Sequence, residues 1–507
     1  MESLQSFAGS LSWADGLVLA GAVALLFVIA FWAGRKEHDT GDFFLGGRQV
    51  PMIVASLSFV ATEISAMTIV GVPAAAYKGD WRYLQMTVGY SAAKIVVAFL
   101  FLPAFFRYGC TSIYEFLRHR FGPASQYAGS VFFFITRLLA SGVRLYVACL
   151  GIAVILDWPL EAAIAVFTVV SMAFIAFGGI KAVVWNGAYQ AIMFYLAAIA
   201  VAAWLGWHLW GQLGQGLQAA AGAGKFTAFD FRGNLTDPLT FWGSASNAFL
   251  IGLAIFGADQ ELVQRLLTVR TRRSSQRAIL STIAAVFPLI ALYLLVGTLL
   301  FVYYRLHGQA SVLPADQSDK ILSHFTLHVL PAGLKGLVLA TIILASIDSP
   351  LASLSASFVS DIYRPLLRPH ASEAHYLAVS RAGVVVFALI LALIAWASKS
   401  VTEALWFGLE IMSVTGSAIL GVFLLGLLTR VRANRANIVA MIVGSLTVLA
   451  LMLLSKEGIF IKDRKVIDIG WTWLMAVGTG ETFLLAWAGS YVLDRRMKEH
   501  SPSATEN

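Results

Sequence analysis

Apolar residues gather in this chain into runs of about 20 or more, parted by short polar segments. A helix needs about 20 mostly apolar residues to cross the roughly 30 Å hydrocarbon layer of a bilayer. On that measure the pattern predicts about 13 crossings, near 14–34, 50–76, 83–106, 127–155, 160–179, 186–209, 241–259, 278–304, 334–362, 376–397, 401–428, 438–455 and 471–493. The expected class is an all-α membrane protein.

Two runs are interrupted. The 50–76 run contains Ser56, Ser58, Thr62, Glu63, Ser65, Thr68, Gly71 and Pro73; the 241–259 run contains Gly243, Ser244, Ser246, Asn247, Gly252 and Gly257 and ends at Asp259. Interrupted crossings at matching places in two halves point to a midplane binding site. Where a helix unwinds, its carbonyls lose their internal partners and can coordinate a cation, while the following half-helix offers free N–H groups to an anion. Five crossings fill 50–209 and five more fill 241–428. Five is odd, so the second set enters from the opposite side, as an inverted repeat. One helix (14–34) precedes the pair and two (438–493) follow, and 1–507 reads as a single transmembrane domain.

Composition agrees. The chain is 59% hydrophobic and 13% charged, with a mean hydropathy of +0.77. Soluble domains carry about 25% charged residues, so an ordinary cytosolic enzyme and a nucleic-acid-binding arm are excluded. The net charge of +8 reads as an orientation code. The expected inner loops hold about 20 Lys and Arg against about 11 outside. Residues 1–13 contain no Lys or Arg, and Arg35 and Lys36 follow the first run. The N-terminus is therefore expected outside, and Arg495, Arg496 and Lys498 in the cytoplasm, of a plasma membrane or a bacterial inner membrane. The densest inner cluster, Arg265, Arg270, Arg272, Arg273 and Arg277, reads as a topology signal and a contact for lipid headgroups. Cys110 and Cys149 form neither a metal spacing nor a disulfide framework.

The few charges left inside are the candidates for chemistry. Glu63 lies midway along its run, where a carboxylate costs a few kcal/mol or more. It can bind a cation, carry a proton, or pair with Arg137 or Arg144, which share a helical face with Ser141. Asp348 and Glu410 are the other deep acids. Ser346, Asp348 and Ser349 cluster just before Pro350, which disturbs the helix, and hard oxygen donors there suit Na⁺. No Walker loop, HExxH, Cys/His metal spacing or nucleophile elbow is present, so neither an ATP-driven pump nor an enzyme is expected.

Five motifs then follow in order: Asp42-Phe43-Phe44-Leu45-Gly46-Gly47-Arg48; Ala61-Thr62-Glu63-Ile64-Ser65-Ala66 with Gly71-Val72-Pro73; Gly178-Gly179-Ile180-Lys181-Ala182-Val183; Asp259-Gln260 with Val263-Gln264-Arg265; and Ser360-Asp361-Ile362-Tyr363. With these the chain resembles the sodium:solute symporter family over about residues 40–430. The resemblance implies a LeuT-type fold of two inverted five-helix repeats and inward, Na⁺-driven symport of a small organic solute by alternating access. It implies a sodium site from Ala61 and Ile64 with Ile342, Ala345 and Ser346, where Ala345 replaces the usual hydroxyl residue. Ser346, Asp348 and Ser349 match a second cation site, but its acidic partner falls at Gly187. Among the family's sialic acid transporters, Ser65 and Thr68 match hydroxyls that meet the solute carboxylate. The expected solute-binding set is Glu63, Ser65, Thr68, Tyr83, Thr87, Arg137 and Arg144, with Asp259 and Glu410 as gating candidates.

Three readings follow. The first is sodium-coupled symport of a small, carboxylate-bearing solute, with Na⁺ and membrane lipid as partners and no nucleic acid. The second keeps the fold and moves H⁺ on Glu63 or Asp348. The third is a membrane sensor that has lost transport. The fold does not choose the solute.

Overall fold

The computed structural model describes residues 11–35, 39–156, 158–233, 239–308, 320–347, 350–400, 404–457, 460–461, 464–465 and 471–494, and it is helical almost throughout. Helix α1 (Trp13–Ala33) starts at Ser12, whose hydroxyl accepts the Asp15 N–H while Asp15 accepts the Ser12 N–H. Asp15 is buried and also accepts the N–H groups of Gly333 and Gly336, each at 2.8 Å. One carboxylate thus joins the first crossing to the start of a distant one.

Helix α2 (Thr40–Leu45) ends in Gly46 and Gly47, at φ 61° and 62°. Glycine adopts this left-handed conformation without the steric cost other residues incur. The chain bends by 108° there and enters α3 (Met52–Glu63), which is followed across a two-residue break by α4 (Ala66–Lys78). Helix α5 (Tyr83–Val96) continues through a π-helical turn at Val97–Phe101 into α6 (Leu102–Arg107). Then come α7 (Tyr114–Arg120), α8 (Pro123–Leu156), α9 (Leu160–His208) and α10 (Leu213–Gly222). Two expected crossings, 160–179 and 186–209, are merged in α9, which is broken by Gly179 at φ 48°, ψ −147°. Lys181 lies 3.5 Å from Asp42, so two of the sequence motifs meet in space.

The second half runs α11 (Phe241–Gly257), α12 (Gln260–Leu267), α13 (Arg272–Leu306), α14 (Ile321–His328), α15 (Leu334–Ile347) and α16 (Leu351–Ser357), the last extended by π-helical turns over Phe358–Leu367. Helices α17 (Glu373–Ala397), α18 (Ala404–Leu428) and α19 (Asn434–Glu457) follow. The two-residue strands β1 (Phe460–Ile461) and β2 (Arg464–Lys465) then pair antiparallel before α20 (Trp471–Gly489). Among the described residues eight helices are each long and apolar enough to cross a bilayer, or ten when each bent pair counts as one. Among the described residues the expected runs fall on helix, apart from the break at Ile64–Ser65, but the 241–259 run does not stop at Asp259. It bends by 58° and continues as α12, whose Gln260, Glu261, Gln264 and Arg265 hide it from a hydropathy reading.

Small residues let the helices approach closely, as lipid-embedded packing requires. A Cβ at Gly89 would lie 2.2 Å from the Ala245 carbonyl and one at Gly252 would lie 2.7 Å from Ala93, so α5 and α11 pack almost backbone to backbone. Helix α3 packs along α9 and α13. Phe59, Phe256 and Tyr90 form a ring cluster between the two broken crossings, with centroids 5.5 and 5.8 Å apart.

Candidate functional site: two broken helices

The first break follows from local chemistry. After Glu63, Ile64 and Ser65 are extended (ψ 107° and 169°). The Ser65 N–H turns to Thr68 Oγ1 at 3.4 Å, and the two hydroxyls lie 3.5 Å apart. That turn takes from the Ala61 carbonyl the donor a continuous helix would supply. Ala61 and Ile64 are buried in one apolar cluster, against which Ile342 and Ala345 of α15 pack. Ala61, Ile64, Ile342 and Ala345 thus belong to one apolar cluster. Asp348 and Ser349 lie outside the described residues, as do the side chains of Ser346 and Glu410.

Glu63 meets neither arginine expected for it. Its Oε2 accepts from Lys94 Nζ at 2.6 Å. Lys94 sits on α5, 1% exposed, with its ammonium 5.2 Å from the Phe256 ring centre and 5.9 Å from that of Phe59. Tyr83 and Tyr90, on the same helix, lie within Coulombic reach of the Glu63 carboxylate. Glu63, Ser65, Thr68 and Tyr83 are all partly exposed, whereas Thr87 is buried, with its carbonyl accepting the Ser91 hydroxyl. Lys94 was missed by reading the sequence. The available signal was a lysine deep in the 83–106 run, where burial of an unpaired ammonium is costly.

The second break is built differently. Asp259 caps α12 by accepting the Glu261 N–H at 2.9 Å. Arg137 bonds Asp259 through Nη2 and lies 2.5 Å from Glu261 through Nη1, while Arg144 stands 3.7 Å from Glu261. Both arginines do share one face of α8, but that face is turned to α12 rather than to Glu63. Arg137 is buried; the Arg144 side chain keeps 32% exposure. Every residue of α12 is buried. Gln260 bonds Ile113 N and Thr111 O, Gln264 bonds Phe44 O, and Tyr114 bonds Ala258 O. Arg265 is no headgroup contact: it is buried, donating to Glu261 O and Ser58 Oγ, and so ties α12 to α3. Arg270, Arg272, Arg273 and Arg277 remain exposed.

Comparison with known proteins decides the family. The sodium:solute symporter family profile matches residues 43–444. The chain belongs to the sodium:solute symporter family. It is 29% identical over 420 residues to the rabbit (Oryctolagus cuniculus) sodium-dependent multivitamin transporter, covering 81% of this chain but 65% of that protein. To the human sodium/iodide cotransporter it is 27% identical, covering 80% and 65%. The sodium/sialic acid symporter of Proteus mirabilis is 27% identical, with 85% of this chain and 88% of the other covered. A solved Na⁺-coupled sialic acid symporter, substrate-bound and outward-open, has the same fold, with a TM-score of 0.83, 24% identity and coverage of 95% and 98%. This family member is thus a multi-pass membrane protein with the LeuT-type fold of inverted five-helix repeats.

Two features of this symporter-family chain concern cation sites. A Cβ at Gly187 would stand 2.4 Å from Ser58 Oγ, so α9 packs on α3 with no room for an acidic side chain. Asp361, in the last motif, is buried and accepts from Ser112 at 2.7 Å, Gln126 at 2.8 Å and Ser130 at 2.9 Å. Its three neutral donors bind the π-helical end of α16 to the segment just before α7 and to α8.

Proposed function

We propose that the chain is a sodium-coupled importer of a small, carboxylate-bearing organic solute, working by alternating access in a plasma membrane with its N-terminus outside. The observation that carries this reading is the Ala61 carbonyl, which loses its helical donor at the first break, in a residue buried in the apolar cluster that α15 also joins. Sodium binds the carbonyls of Ala61, Ile64 and Ile342 with the Ser346 hydroxyl, and Ala345 leaves out the hydroxyl usual at its position. Solute binds beside it, its carboxylate on Ser65 and Thr68 at the N-terminus of α4 and its remainder against Glu63, Tyr83 and Thr87. The repeats, 50–209 and 241–428, close over both and reopen inward. Lys94 already supplies the positive charge that a buried Glu63 requires, which favours Na⁺ over H⁺ as the coupling ion.

At −100 mV one entering Na⁺ contributes about 2.3 kcal/mol, enough to hold a solute gradient of roughly fiftyfold. Arg137, Asp259 and Glu261 act as the inner fastening rather than as solute ligands. Uptake of labelled carboxylates into proteoliposomes tests the reading. A NaCl gradient accelerates uptake and choline chloride does not; equal rates in the two would overturn it.

A further inference from the structure

The buried lysine facing Glu63 has no assigned role. We propose that Lys94 is a positioning residue, holding Glu63 fixed through Oε2 so that its second oxygen accepts a hydrogen-bond donor on the solute. The solute class is then a small carboxylate that also carries a hydroxyl or an ammonium group, rather than a plain aliphatic acid. This inference rests on the solute site proposed above.

The two partners are unequal in a telling way. Lys94 keeps 1% of its side-chain surface and Glu63 keeps 9%, so the cation is sealed behind the carboxylate. Phe59 and Phe256 stand close to the ammonium, and α11 packs along α5 where Gly252 meets Ala93. Lys94 reaches Glu63 through Oε2. Among the described residues Oε1 is left without a donor, in a carboxylate at the edge of the break beside partly exposed Ser65, Thr68 and Tyr83. A carboxylate oxygen accepts and never donates when ionised. It rewards a hydroxyl or ammonium, and it penalises an aliphatic group that strips its water without replacing the bond. The Ser65 and Thr68 hydroxyls at the start of α4 take the solute carboxylate, which keeps like charge away from Glu63.

The test uses the full chain with propionate, L-lactate and L-alanine, which differ at one carbon by H, OH or NH₃⁺, and with the matching five-carbon set. Sodium-dependent uptake and thermal stabilisation are measured in NaCl. The expected result is half-saturation by the hydroxy or amino acid at about one-tenth the concentration of the plain acid, as a charge-assisted hydrogen bond gives. Which of the two is preferred identifies the donor. Lys94→Met loses uptake of all the acids. Glu63→Gln/Lys94→Met, in which no charge is left unpaired, keeps the sodium-induced stabilisation but discriminates by less than about twofold. Equal affinity for the three acids in the native chain, undiminished discrimination in the double variant, or sodium stabilisation with no acid binding would overturn the proposal. Identical melting in NaCl and KCl is a different failure, that of the sodium reading itself.

Discussion

The two broken crossings occupy matching places in the fold yet are built to opposite ends. At α3–α4 a single ion pair, Glu63–Lys94, stands beside partly exposed hydroxyls, and the Ala61 carbonyl has lost its helical donor. At α11–α12 the carboxylates of Asp259 and Glu261 are taken up by Arg137, with Arg144 beyond, and the half-helix after the break is wholly buried. The same device, an unwound turn in a lipid-embedded helix, is left open at one place and tied shut at the other. A break does not by itself make a binding site. What differs is how many of the protein's own charged side chains are drawn onto the break.

The comparison makes graded predictions. The largest concerns the tied break: Arg137→Met leaves two buried carboxylates facing each other and costs about 3–5 kcal/mol, seen as a collapse of the melting temperature. Lys94→Met orphans one carboxylate rather than two, so its cost is smaller, about 2–3 kcal/mol by the same melting experiment. If the two losses are equal, the contrast in sealing is wrong. Gly187→Ala forces a Cβ to 2.4 Å from Ser58 Oγ and costs about 1–3 kcal/mol by overpacking, read as a lowered melting temperature. Ser65→Ala removes a cap at the open break for about 1 kcal/mol, and on the proposed solute site it weakens solute affinity more than it lowers melting.

The smallest effect lies outside the membrane. Asp230 is pulled down to about 2 by its side-chain bond to Arg232, helped by the Arg232 N–H and the Arg82 charge. A lowered carboxylate contributes its stability above the ordinary value near 3.8 and loses it as pH falls through about 2. Asp230→Asn therefore lowers melting slightly from pH 8 to pH 5 and flattens the decline below pH 4. A difference from the native chain as large at pH 2 as at pH 7 would contradict this.

Much of the fold was legible because membrane crossing imposes length and apolarity, and both are linear properties of the chain. The first break was legible too, since Glu63, Ser65 and Thr68 interrupt an apolar run. Pairing was not. Arg137 and Arg144 share a face, as their spacing requires, but spacing does not say which neighbour that face meets. In a helix apolar all round, no amphipathic stripe fixes its rotation, so Lys94 could not be placed against Glu63. Helix α12 stayed hidden for the opposite reason: its polar residues are buried by partners remote in sequence, such as Thr111 and Phe44.

Amide hydrogen exchange on the full chain, in NaCl against KCl at equal ionic strength, tests the contrast most directly. The account predicts that Na⁺ slows exchange across residues 61–68 and leaves residues 257–267, already protected, unchanged. Equal protection of the two segments, or none at the first, would contradict it.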